Sequence, residues 1–240
     1  MASAKVAVVT GGNKGIGLAI VRALCKQFKG DVYLTARDPK LGEEAVRALK
    51  EQEGLSPHFH QLDINDLQSI RALGGFLKEK YGGIDVLINN AGIAFKEDAK
   101  KGAHQKEGWP NTAYGVSKIG VTVLSRIQAR RVVNVSSMLK DAKKGAHQKE
   151  GWPNTAYGVS KVGVTVLSRI QARELNEKRK DDGILLNACC PGWVRTDMAG
   201  PKAPKSPDEG AETPVYLALL PNNAHSPHGE LVSEKKVVPW

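Results

Sequence analysis

The chain has 240 residues, 41% apolar and 25% charged, with a formal charge of +10; this fits one globular domain over 1–240 and excludes a disordered chain. No apolar run approaches the roughly 20 residues of a membrane helix, and the first residues lack the basic, apolar and cleavage regions of a signal peptide, so a cytoplasmic protein is expected. Cys25, Cys189 and Cys190 form no disulfide framework and no Cys/His cluster has zinc spacing, so no metal is expected.

Strands alternate with helices along the chain. Residues 5–10 are a β-branched run of the kind buried in a parallel sheet. A helical period follows over 15–28, a strand over 31–36, a helix over 41–52 and a strand over 58–62. Leu67, Ile70, Leu73 and Leu77 put one apolar face on a helix over 66–81, and 84–89 is the fourth strand. A helix over 112–129, a strand over 131–136, a helix over 155–178 and a strand over 184–189 continue the pattern. Ser206-Pro207-Asp208-Glu209 is a capping box that opens a helix to about residue 220. Residues 229–238 close the chain as a last strand, and 198–205, with two prolines and two lysines, form a flap. The alternation predicts an α/β fold: a Rossmann-like, doubly wound parallel sheet with helices on both faces, three layers deep.

Residues 98–130 recur at 141–173 with 32 of 33 positions identical, Ile119 becoming Val162. Solenoids need about three or more copies, so two copies in an otherwise unrepetitive chain read as a duplication, natural, spliced or engineered. Each copy carries six Lys or Arg and two Asp or Glu, so without one of them the net charge falls from +10 to +6. The remaining excess reads as solvated surface, and no basic patch interleaved with aromatics points to nucleic acid.

Thr10-Gly11-Gly12-Asn13-Lys14-Gly15-Ile16-Gly17 lies between the first strand and the first helix. Glycines there allow a tight turn and let phosphates reach backbone N–H groups at a helix N-terminus. Gly11, Asn13, Lys14, Gly15, Ile16 and Gly17 are therefore expected to hold a dinucleotide. Where such folds often carry an acid for a ribose hydroxyl, the second strand ends in Arg37, and with Lys14 this makes two cations suited to a 2′-phosphate. NADPH is thus preferred over NADH. Asp63 and Ile64 after the third strand are placed at the adenine, and Asn90 after the fourth lines the trough.

Taken in order, Thr10-Gly11, Gly15-Ile16-Gly17, Asn89-Asn90-Ala91-Gly92, Ser136-Ser137, Tyr157 with Lys161, and Pro191-Gly192 resemble the short-chain dehydrogenase/reductase family. The stretches 62–64, 92–96 and 187–198 are similar to its cytosolic NADPH-dependent carbonyl reductases. The resemblance implies hydride transfer from NADPH to ketones, aldehydes or quinones. Tyr157 is then the proton donor to the forming alkoxide. Lys161, one helical turn on, lowers its pKa and holds the nicotinamide ribose. Ser137 orients the substrate oxygen. The resemblance also assigns Val194 and Thr196 to the cofactor, Trp193 to a substrate wall, Cys190 to a modifiable thiol and Phe95 to contact with glutathione or its conjugates.

The repeat supplies a second pair, Tyr114 and Lys118, with Ser117 between them. Chain order favours Tyr157, because its helix follows Ser137 and precedes Pro191-Gly192. The sequence departs from the family in the middle. The crossover-helix segment that carries a relay Asn is absent, and only 19 residues separate Ser137 from Tyr157, so most of the subgroup's helical insertion is missing. Two other expectations stay open: an NADPH-binding protein with little or no activity, and a hydroxysteroid or prostaglandin oxidoreductase. The expected state is a monomer or small homo-oligomer, with no nucleic-acid or membrane partner.

Overall fold

The computed structural model describes residues 4–91, 129–136, 156–197 and 199–239, with side chains described from Gly163 onward in the helix that begins at 156. Five α-helices lie among these residues: α1 (Gly15–Gln27), α2 (Pro39–Glu53), α3 (Leu67–Tyr81), α4 (Ala156–Lys178) and α5 (Pro207–Ala218). The strands are β1 (Val6–Thr10), β2 (Asp31–Ala36), β3 (His58–Gln61), β4 (Ile84–Asn89), β5 (Ala129–Val135), β6 (Leu185–Cys190), β7 (Leu231–Ser233) and β8 (Lys236–Val237).

They make one sheet in the order β3-β2-β1-β4-β5-β6-β7-β8, parallel throughout except for the last pair. The order reverses between β1 and β4, and such a switch point opens a crevice at the carboxyl edge. Alternation along each strand supplies both cores. Ala7 and Val9 of β1 face the α1, α2 and α5 side with Ile20, Leu24 and Val215. Val6 and Val8 face the α3 side with Ile70, Leu73 and Leu77, and Leu175 of α4 packs on the same side. This is the expected three-layer sheet.

Most boundaries fall within one or two residues of the sequence reading, and three of the differences have a local reason. α2 starts at Pro39 because the Asp38 carboxylate accepts the N–H groups of Lys40 and Leu41, at 2.9 and 3.3 Å; Asp38 is a helix cap. The last strand is split into β7 and β8 by Glu234 and Lys235, whose φ angles of 51° and 62° turn the chain back on itself. No Gly or Asn marks that turn. Ala129, expected to end a helix, starts β5 and pairs with Ile84. The predicted flap is tethered at its base: Val194 bridges Lys205, and the Arg195 guanidinium donates to the carbonyls of Ala203 and Pro204 at 3.1 and 2.6 Å. The rest of the helix expected over 112–129 lies outside the described residues, whereas the capping box on α5 is present in full.

Buried Arg131 anchors the amino edge, donating to the carbonyls of Arg130 and Gly183 at 2.9 Å and of Pro221 at 2.5 Å. Burial, and then the neighbouring Arg130, pull its pKa down from the usual arginine range.

Gly75 tests how far α3 is limited by backbone entropy. It is exposed, and a Cβ there would meet nothing within 4 Å. Gly75→Ala should therefore raise the unfolding free energy by roughly 0.5–1 kcal/mol, read as a higher urea midpoint at unchanged slope.

Candidate active site

The carboxyl ends of β1, β2 and β4 are locked together by short polar contacts. The Thr10 hydroxyl accepts the N–H groups of Asn90 and Ala91 at 3.0 and 2.9 Å. The Asn90 side-chain amide donates back to the carbonyls of Thr10 and Gly11 at 3.0 and 3.2 Å. Gly12 N–H donates to the Thr35 carbonyl at 2.9 Å. Gly17 sits inside this lock: a Cβ there would lie 2.1 Å from the Gly11 carbonyl oxygen and 2.5 Å from Asn90 Nδ2. Gly11 turns the chain at φ +63°.

α1 opens from this loop with Lys14 at its N-cap, and no side chain caps it. Its first N–H groups are those an anion can take. Ile16 packs on the core beneath, and Asn13 is half-buried in the loop. Thr196 reaches across from the segment after β6, its Cγ2 lying 3.3 Å from the place of a Gly15 Cβ. Next to it Asp197 pairs with Lys14 at 2.7 Å, both side chains largely exposed. The Lys14 ammonium, through that hydrogen bond, holds the Asp197 carboxyl below its ordinary range.

The other expected site residues lie along the same edge. Arg37 follows β2, exposed, and makes no ion pair among the described residues. Asp63 follows β3; its N–H donates to Ser69 Oγ and its carboxylate accepts Asn65 N–H, at 3.0 and 2.9 Å. Ile64 packs against the α3 core. Val194 is 3% exposed, its side chain against Gly210, so its main chain is what a ligand would meet. Trp193 is 59% exposed and so is not a core tryptophan. Cys190 ends β6, half-buried, as a free thiol. Phe95, Ser137, Tyr114, Ser117 and Lys118 lie outside the described residues, as do the side chains of Tyr157 and Lys161, whose positions are in the first turns of α4.

Two members of this arrangement stand in sequence motifs that do not announce their partners. Thr10 is a single hydroxyl before a glycine loop, and its double acceptance needs the β4 end beside it. Asp197 is 183 positions from Lys14. A surface depression of about 410 Å³ lies elsewhere, along α1. Arg22 and Lys26 there are both already paired with Glu53.

The sequence profile of short chain dehydrogenases matches residues 5–207. The chain belongs to the short chain dehydrogenase family. Human carbonyl reductase (NADPH) 1 is 58% identical over 315 aligned residues, covering 98% of each chain, and the rat protein of that name is 57% identical with the same coverage. Among solved structures, the NADPH-bound carbonyl reductase from chicken fatty liver superposes with a TM-score of 0.76 at 26% identity, covering 100% of this chain and 96% of its own. Salutaridine reductase from Papaver somniferum does so with 0.69 at 27% identity, covering 95% and 99%. An alignment of 315 positions against a short chain dehydrogenase of 240 residues leaves at least 75 positions that the human relative fills and this chain does not.

Gly17→Ala should force Gly11 and Asn90 apart and destabilise the protein by roughly 1–3 kcal/mol. Urea unfolding beside Gly75→Ala, where the added methyl meets nothing, checks that the loss comes from the lock and not from helix propensity.

Proposed function

We propose that this chain reduces ketones, aldehydes and quinones to alcohols with NADPH. The observation that carries the reading is the uncapped α1 N-terminus in a glycine loop flanked by Lys14, Arg37 and Thr196, in a chain 58% identical to human carbonyl reductase (NADPH) 1.

The residues present fit the cofactor. Gly17 keeps side-chain atoms out of the turn, the first N–H groups of α1 suit the pyrophosphate, and Lys14 and Arg37 suit the 2′-phosphate. When bound, NADPH supplies the hydride. In this reading the main chain at Val194 and the hydroxyl of Thr196 orient the nicotinamide end, and Asp63 and Ile64 receive the adenine. Ser137 donates a hydrogen bond to the substrate carbonyl, which polarises it and fixes its distance. Tyr157 delivers its phenolic proton to the alkoxide oxygen as that charge forms, so carbonyl, hydride and proton sum to the alcohol. A free phenol titrates near 10; the Lys161 ammonium, one helical turn on, favours the phenolate and brings the proton within reach at neutral pH. Trp193 walls the pocket and suits flat substrates.

The same reading has one domain over 1–240, a cytoplasmic location, a monomer or small homo-oligomer, Phe95 as the contact for glutathione or its conjugates, and Cys190 as a modifiable thiol beside the pocket. Among the described residues no helix is long and apolar enough to cross a membrane.

NADPH oxidation with a small quinone tests the reading. Tyr157→Phe should lose at least about 100-fold in kcat, and Tyr114→Phe should stay within about twofold of the parent. NADPH binding without turnover in the parent would make this a cofactor-binding protein instead. Loss confined to Tyr114→Phe would exchange the roles of the two copies.

Asp197 supplies a second test. Its carboxylate competes with a 2′-phosphate for Lys14, and exposed pairs of this kind are weak and screened by salt. Asp197→Asn should therefore tighten NADPH binding by about two- to fivefold at low salt and leave NADH binding unchanged, measured by fluorescence titration.

A further inference from the structure

A run of polar side chains crosses the buried interface between the sheet and α4. Asn89 Nδ2 of β4 donates to Asn134 Oδ1 of β5 at 2.8 Å. Asn134 Nδ2 donates to Ser168 Oγ of α4 at 2.8 Å, and Ser168 Oγ donates to the Val164 carbonyl one turn back at 2.7 Å. Beside this run, Ser136 Oγ and Thr165 Oγ1 share a hydrogen bond of 2.7 Å. All five side chains are buried: Asn89 is 6% exposed, Asn134 0%, Ser136 1%, Thr165 4% and Ser168 1%. Among the described residues of α4, the apolar Val164, Leu167 and Ala172 are buried with them.

Stability alone does not account for polar groups at this place. Swapping both partners of a buried hydrogen bond for apolar groups of the same shape is close to neutral, whereas leaving one partner unmatched costs about 1–3 kcal/mol. What the polar run adds is a single solution. A slide of α4 by one turn moves each hydroxyl about 5.4 Å, and a slip of one residue rotates it by about 100°. Either slip breaks the Ser136–Thr165 bond and takes the Ser168 hydroxyl from Asn134 Nδ2, while Asn89 still holds Asn134 Oδ1. An interface of valines and leucines would tolerate such slips at lower cost.

Register matters because of what lies on either side. Thr165 follows Lys161 by one helical turn and Tyr157 by two, and positions 157, 161, 165 and 168 fall within a sector of about 80° on one helix face. Ser136 is the residue before Ser137. The Ser136–Thr165 bond thus joins the two segments on which the proposed acid, its tuning lysine and the orienting serine stand.

We infer that Thr165 and Ser168 are positioning residues, which hold α4 in the one register on β5 that sets the spacing of Tyr157 and Lys161 to Ser137. The inference rests on the carbonyl reductase reading and goes beyond it by naming side chains that touch neither substrate nor cofactor.

The test is Thr165→Val, which keeps shape and removes the hydroxyl, with Thr165→Ser to restore it and Ser168→Ala to cut the other arm. In T165V, kcat for quinone reduction should fall about tenfold, since small misplacements at a reacting centre cost up to about 100-fold. KM for the quinone and the stoichiometry of bound NADPH should hold, and the melting temperature should stay within a few degrees. T165S should recover to within about threefold of the parent, and S168A should lose about two- to fivefold. Retention of kcat within twofold in both T165V and S168A overturns the inference. So does a loss in T165V that comes with less bound NADPH and is not rescued by T165S, because that is damage to folding. Should T165V fail to fold, S168A and T165S decide on the same criteria. If the parent binds NADPH without turnover, the carbonyl reductase reading fails by itself, and amide hydrogen exchange of NADPH-loaded protein decides the register. Exchange over 160–170 at least about tenfold faster in T165V supports it, and unchanged exchange overturns it.

Discussion

The Thr10 hydroxyl accepts two main-chain N–H groups from the end of β4, and the Asn90 amide returns two hydrogen bonds to the end of β1. These four contacts close the sheet at its switch point, where β1 and β4 lie side by side and the chain winds away in both directions. The glycine loop takes its shape from that clasp. Gly17 tolerates no Cβ because the Gly11 carbonyl and the Asn90 amide already occupy the space. The uncapped start of α1, the approach of Thr196 and the pairing of Lys14 with Asp197 all depend on the loop standing where the clasp puts it. Binding chemistry at this edge is therefore a consequence of strand pairing.

The duplicated segment shows how little a short stretch decides for itself. Ala129 and Arg130 belong to the first copy and start β5; Ala172 and Arg173, the same pair in the second copy, lie in α4. Both alanines are 2% exposed. Ala129 pairs with Ile84 in the sheet, whereas the Ala172 carbonyl accepts from His228 at 3.0 Å. The two copies diverge in the residues that succeed them. Arg131-Val132-Val133-Asn134-Val135 is β-branched and fills a gap between β4 and β6, while Glu174-Leu175-Asn176-Glu177 continues a helix whose apolar side already rests on the sheet.

Chain order and periodicity made most of the architecture legible: the alternation of elements, the glycine loop and the capping box at Ser206 each have a local cause. What escaped lies in contacts between distant segments. The Glu234–Lys235 turn has no glycine or asparagine to announce it, and its left-handed residues are held by Lys235 N–H donating to Thr213 Oγ1 at 3.3 Å and by the pairing of Glu234 with Lys205 at 2.9 Å. The partner of Lys14 was out of reach for the same reason, since its carboxylate arrives from the far side of the sheet order. Asp38 stood beside Arg37 at a strand end that often serves a ribose, yet it caps α2.

The sequence by itself determined the layers, the winding of the sheet and the family of the chain, because hydrophobic period, turn glycines and motif order act over a few residues at a time. Only the tertiary structure decided that Thr10 and Asn90 form one clasp, that Asp197 shares Lys14, and that Thr165 and Ser168 meet Ser136 and Asn134 across a buried interface. A hydrogen bond depends on distances of about 3 Å and on direction, and neither is set until strands and helices far apart in the chain have been brought together.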